Sequence, residues 1–231
     1  MNDNKLAKLK ALLNLDFNDT HLVENAFVHR SYLNESQAFS ESNERLEYLG
    51  DAVLELATSI FLFRKYREFQ EGMLTNLRAS LVRTESLAGV ASDLGFPELI
   101  LMSKGEESTG GRQNVSILAN TTEAFLGAVY LDQGFTACTK ILEKYLFSKI
   151  TEIIDTESYR DNKSLMQEIA QAKFKSTPRY ELESESGPDH DKVFTVAAYI
   201  GETRYGVGQG KSKQAAQENA AKITLEMINK N

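Results

Sequence analysis

The chain has 231 residues and a formal net charge of −7. Its length suits one or two domains, and its 42% apolar residues suffice for a core yet include no run of about 18 that would span a membrane. Met1-Asn2-Asp3-Asn4-Lys5 lacks the apolar run of a signal peptide, and the single cysteine, Cys138, excludes an internal disulfide and fits a reducing compartment, so the cytoplasm is the expected location.

The first part of the chain reads as helix after helix. Lys5 to Leu13 is apolar at helical spacing, and Asp19 or Thr20 is placed to cap a helix carrying Leu22, Val23, Ala26 and Phe27. Asn43 is placed to cap a long helix running toward Arg67. Glu71 opens another, with Leu77, Leu81 and Val82 apolar; Thr84 is placed to cap the next, which stops near Gly95-Phe96-Pro97. Lys104 to Arg112, with three glycines, reads as a loop. Helices over about Ser116 to Leu131 and Thr136 to Ile154 complete an all-helical unit, residues 1–154.

Residues 155–161 are polar and read as a linker, and residues 162–231 as a second domain. Lys163 to Phe174 is helical. Pro178–Glu185, Val193–Ile200 and Glu202–Gly208 read as strands, with Tyr180 and Leu182 alternating with Glu181 and Glu183. Lys213 to Ile228 closes the chain as a helix. The expected fold class is therefore multi-domain: an all-α domain, then a small α+β domain of order α-β-β-β-α. Charge divides in the same way. Residues 1–159 hold 15 Lys and Arg against 23 Asp and Glu, a net of −8; residues 160–231 hold 11 against 10, a net of +1. Whole-chain charge is thus a poor guide to a polyanionic partner.

The stretch Asn43-Glu44-Arg45-Leu46-Glu47-Tyr48-Leu49-Gly50-Asp51 places Glu44, Glu47 and Asp51 at i, i+3 and i+7, on one helical face. Leu46, Leu49, Val53 and Leu56 share a different face, suited to a core. Like charges so spaced repel by a few tenths of a kcal/mol per pair on an exposed helix, and a hard divalent cation is the simplest offset. Asn120 and Glu123 occupy one face of a later helix, where Gly127 and Ala128 would admit a close neighbour. Were the two helices to meet, Glu47, Asp51, Asn120 and Glu123 would form an all-oxygen site for Mg²⁺, with Mn²⁺ a plausible substitute. Such a site suits phosphodiester hydrolysis. On spacing alone, a solvated helix face is the competing reading.

The segment NERLEYLGDAVL resembles the signature of bacterial ribonuclease III, and VHRSYLNE, EGMLTNLRASLV, KGEESTGGR and TEAFLGAVYLD follow in the family's order. NKSLMQEIAQ, GPDHDKVF and GVGQGKSKQAAQENAA are similar to the double-stranded RNA-binding domain. The resemblance implies an endoribonuclease of double-stranded RNA that leaves 5′-phosphates and processes precursor rRNA and other structured transcripts. It places Glu47, Asp51 and Glu123 on metal-binding positions, with Asp51 and Glu123 the catalytic pair. Glu44 and Glu71 fall on further acids of the cleft, and Tyr48 on an aromatic position that plugs into the partner of a homodimer. No membrane and no small-molecule organic cofactor are expected.

Asn120 departs from the family pattern, which usually has Asp there. Its amide oxygen can ligate, but its NH₂ end repels a cation if turned inward. The chain either tolerates Asn120 or binds RNA without cutting; a dimeric helical scaffold with merely superficial acids is the remaining alternative. In the tail, Ser164, Gln167 and Glu168 can meet 2′-hydroxyls, and the turn carrying Pro188 and His190 can enter the next minor groove. Lys211, Ser212 and Lys213 begin the last helix, where N–H groups and lysines attract phosphate. Phe194 and Tyr180 are assigned to the small core, Cys138 to packing, and His29 to a structural hydrogen bond rather than to base catalysis. Arg112 and Glu106 lie in a loop that the resemblance puts near substrate.

Overall fold

A computed structural model describes residues 3–156, 159, 161–188 and 192–229. The chain divides into two compact units, residues 1–159 and 160–231. In the first, helices run as α1 (Asp3–Leu13), α2 (Thr20–Asn25), α3 (Glu44–Lys65), α4 (Glu71–Leu81), α5 (Thr84–Asp93), α6 (Lys104–Ser108), α7 (Val115–Gln133), α8 (Phe135–Tyr145) and α9 (Ile150–Asp155). The Asp19 carboxylate accepts the Leu22 N–H and starts α2. Asn43 stands at the head of α3 but does not cap it with its side chain, because its amide donates instead to the Ala26 carbonyl. Arg83, not Thr84, precedes α5.

The core surrounds α3 and α7. Leu46, Gly50, Val53, Leu54 and Ala57 form the buried face of α3, with Leu49 half-buried. Leu56 turns away and is 54% exposed, so it does not join that face. Phe27, Phe96 and Phe125 meet with ring centroids 5.0–5.9 Å apart in the middle of the unit. Gly50 and Gly127 face each other across the two helices. A Cβ on Gly50 would overlap the Glu123 carbonyl, and one on Gly127 would overlap the Leu46 carbonyl. The two backbones therefore touch directly, which fixes how far apart side chains on either side of the contact can lie.

Two helix assignments change as well. The last long helix is broken: Leu146 and Phe147 are both buried, Phe147 stacks on Phe61 at 4.2 Å, and the chain makes a 3₁₀ turn there to seat them. The segment 104–112 is not a bare loop, since the Ser103 hydroxyl accepts the Glu106 N–H and starts α6. Gly110 then takes a left-handed φ of +88° into a tight turn.

The second unit is α10 (Asn162–Phe174), β1 (Pro178–Ser186), β2 (Val193–Ile200), β3 (Thr203–Gly210) and α11 (Lys213–Asn229). The sheet is antiparallel in the order β1-β2-β3. Met166, Ala170, Ala198, Ile200, Ala220 and Leu225 form its core, with Tyr180 packed against them. Gly206, Gly208 and Gly210 on β3 let α11 lie close, because a Cβ at any of them would strike the helix backbone. Phe194 stays outside this core; it is half-buried, with the Lys213 ammonium 5.8 Å from its ring centre. Among the described residues, no helix is long and apolar enough to cross a membrane.

Candidate active site

The Gly50–Gly127 contact brings the acids of α3 and α7 to one cleft. Glu123 is half-buried, and burial first, then the charges of Asp51, Glu47 and Glu55, push its carboxyl up to about 7. Glu47 is raised by burial and by Glu44, pulled back by a hydrogen bond with Asn120, and raised again by Asp51. These couplings tie Glu47, Asp51, Asn120 and Glu123 into one electrostatic unit. The Asn120 amide donates to Glu47, since a carboxylate can only accept. Its NH₂ end is thus turned into the cleft.

The donor set is all oxygen and carries excess negative charge, so it fits a hard divalent cation better than zinc. Among the described residues, no three Asp, Glu, His or Cys side chains stand close enough to grip an ion as they are. Mutually repelling carboxylates spread apart, and a cation of about +2 would draw them together.

Glu55 belongs to the same electrostatic unit, although sequence reasoning passed over it. It lies one turn beyond Asp51 on the same face of α3, and that i, i+4 spacing was the available signal. Arg78 of α4 holds it at 2.9 Å and donates to the Ser59 hydroxyl at 2.9 Å. Glu44, at the first turn of α3, accepts the Ser42 hydroxyl at 3.0 Å. Glu71 lies elsewhere: it accepts the Thr75 hydroxyl and lines a groove of about 790 Å³ with Ile60, Phe63, Phe69, Leu74 and Arg78. Phe63 in that wall is 73% exposed, and near the head of α3 Tyr48 is 83% exposed.

Arg112 is a structural anchor. It donates to the carbonyls of Pro97 and Ile100 and pairs with Glu107. Cys138 is fully buried, and burial pushes its thiol up to about 12. In the second unit, Gln167 and Glu168 lie with Ser164 around a shallow depression on α10, and the Ser164 hydroxyl donates to Asp161. Pro188 is exposed just past Gly187, whose φ is +92°; His190 lies outside the described residues. The Ser212 hydroxyl accepts the Ala215 N–H at the head of α11, and Lys213 lies 3.7 Å from Glu185.

Residues 19–150 match the Ribonuclease-III-like family model and residues 163–228 match the double-stranded RNA binding motif. These two matches define the class, a helical nuclease unit followed by a module for duplex RNA. The chain is 44% identical over 228 residues to Ribonuclease 3 of Enterococcus faecalis, covering 98% of this chain and 99% of that one. It is 41% identical over 224 residues to Ribonuclease 3 of Borreliella burgdorferi, covering 97% and 91%. A solved nuclease domain of ribonuclease III from Campylobacter jejuni, described for flexibility in a region involved in dimer formation, aligns with a TM-score of 0.57 at 38% identity, over 62% of this chain and 96% of that one. The chain belongs to the ribonuclease III family and is an endoribonuclease of that type, with double-stranded RNA as its partner. The family is metal-dependent in general.

Proposed function

We propose that the cleft between α3 and α7 hydrolyses phosphodiester bonds in duplex RNA with Mg²⁺ as its metal, Mn²⁺ being an effective substitute. Glu47, Asp51 and Glu123 would hold the ion, joined by the Asn120 amide oxygen once the cation displaces the Asn120 NH₂ from Glu47, with Asp51 and Glu123 the catalytic pair. A bound cation there would polarise the scissile phosphoryl group and lower the pKa of an attacking water. The proton that burial and neighbouring charges keep on Glu123 up to about 7 would leave as the cation binds, and Arg78 keeps Glu55 in place beside it. Cleavage leaves a 5′-phosphate and a 3′-hydroxyl. The observation that carries this reading is the electrostatic coupling of Glu123 to Asp51 and Glu47 across two helices locked at their glycines.

The second unit would hold the duplex through Ser164, Gln167 and Glu168, through the turn with Pro188 and His190, and through Lys211, Ser212 and Lys213, with residues 155–161 as the linker. Two copies of the chain would pair through the exposed apolar stripe of α3. The apolar groove beside Phe63 supports a second copy as its occupant, with Tyr48 as the inserted side chain and Glu71 brought to the combined cleft. A cytoplasmic location and precursor rRNA among the substrates complete the reading.

Digestion of a defined RNA hairpin across Mg²⁺ concentrations tests it. Cleavage is expected with Asn120 in place, and Asn120→Asp is expected to lower the Mg²⁺ needed by roughly tenfold, the order for one added charge at a partly solvated site. No cleavage by the natural chain, with cleavage restored in Asn120→Asp, would overturn the claim that Asn120 is tolerated.

A further inference from the structure

A second cavity of about 380 Å³ adjoins the cleft and shares Glu47 and Asn120 with it. Its remaining wall includes His29, Arg30, Glu44, Glu106, Asn114 and Ser116. Its size lies at the small end of ligand pockets and suits about one nucleoside.

The His29 ring is fixed from one side. The Ser31 N–H donates to Nδ1 at 3.4 Å. The Ser31 hydroxyl lies 2.8 Å from Nδ1 and itself accepts the Ser103 N–H at 3.0 Å. Nδ1 is therefore the acceptor, and the proton of the neutral ring sits on Nε2. Burial holds the His29 pKa below its ordinary value, which favours that neutral form.

Charge excludes phosphate from this cavity. Three carboxylates, Glu44, Glu47 and Glu106, face one guanidinium, and Arg30 already lies 4.0 Å from Glu44. A neutral group that both donates and accepts is the better fit, and a ribose 2′-hydroxyl is such a group. Of the two acids facing His29, Glu106 acts on it more strongly, while Glu44 already accepts the Ser42 hydroxyl.

We propose that this cavity receives the ribose of a nucleotide flanking the scissile bond, with the His29 Nε2–H donating to its 2′-hydroxyl oxygen and Glu106 accepting the hydroxyl proton. The inference rests on the α3–α7 cleft being the cleavage centre. It makes the nuclease unit itself a discriminator of RNA from DNA at one nucleotide.

Hairpins carrying a single 2′-deoxy sugar, moved one nucleotide at a time across the cut, test this with the full chain. Cleavage is measured in Mg²⁺ and binding in Ca²⁺. One position is expected to lower kcat/KM and weaken binding about tenfold or more, as for the hydroxyl's two lost hydrogen bonds in a partly dry site. His29→Asn keeps an acceptor toward Ser31, and Glu106→Ala removes the acceptor while keeping the backbone N–H that starts α6; each should shrink the penalty at that position alone. The proposal is overturned if no position lowers either quantity more than about twofold, or if the penalty persists undiminished in both variants. Position-specific binding without any cleavage would uphold the subsite and refute the assignment of the neighbouring cleft as a nuclease centre.

Discussion

Without a cation, Glu123 shares a half-buried cleft with the charges of Asp51, Glu47 and Glu55, and its carboxyl titrates near 7. Unfolding returns it to the ordinary carboxylate range. Between those two values the folded chain holds a proton that the unfolded chain has released, so this group's contribution to stability falls as pH rises toward 7 and levels off above it. In EDTA, the difference in Tm between the natural chain and Glu123→Gln should therefore change between pH 5 and pH 8, the natural chain losing more. A constant difference would contradict the raised pKa. Proton and cation compete for the same oxygens, so Mg²⁺ affinity should rise over the same interval. Isothermal titration at the two pH values measures it.

At the scale of elements, α3 and α7 depend on two positions without side chains. Gly50→Ala or Gly127→Ala must push main chain from main chain, and each is expected to destabilise the nuclease unit by about 3 kcal/mol or more. Urea unfolding reads the loss, and Mg²⁺ affinity should fall with it because the acids lie beside the contact. The acid face of α3 was legible from i, i+3 and i+7 spacing, and Gly127 already hinted at a close helix. What spacing did not convey was the break at Leu146-Phe147. Helical periodicity continues through those residues, and only the stacking of Phe147 on Phe61 selects a turn. Phe194 misled in a similar way: alternation makes it a strand residue, but only the packed sheet tells that Lys213, and not the core, covers its ring. The Asn43 side chain likewise went to a distant carbonyl, a choice made by tertiary structure.

For the whole molecule, the two units carry opposite charge balance, −8 for residues 1–159 and +1 for residues 160–231. Duplex binding should weaken with added salt, and Lys211→Ala or Lys213→Ala should each reduce the slope of log K against log salt by about 1. Affinity indifferent to salt would remove both lysines from the phosphate contact. Association is separable from RNA binding. Phe63→Asp places a charge on the exposed apolar stripe of α3; if the proposed pairing holds, sedimentation should find pairs of the unsubstituted chain and single chains of the variant.

The contact of Gly50 with Glu123 and of Gly127 with Leu46 also sets an order of opening. Amide protons at Gly50 and Gly127 lie inside helices, each facing the other backbone, so solvent reaches them only when α3 and α7 part. In deuterated water they should be among the last in the nuclease unit to exchange, later than those of the short helices α2 and α6. The alignment of the acids would then outlast local fraying around it, and the cleft would be lost only when the unit as a whole unfolds.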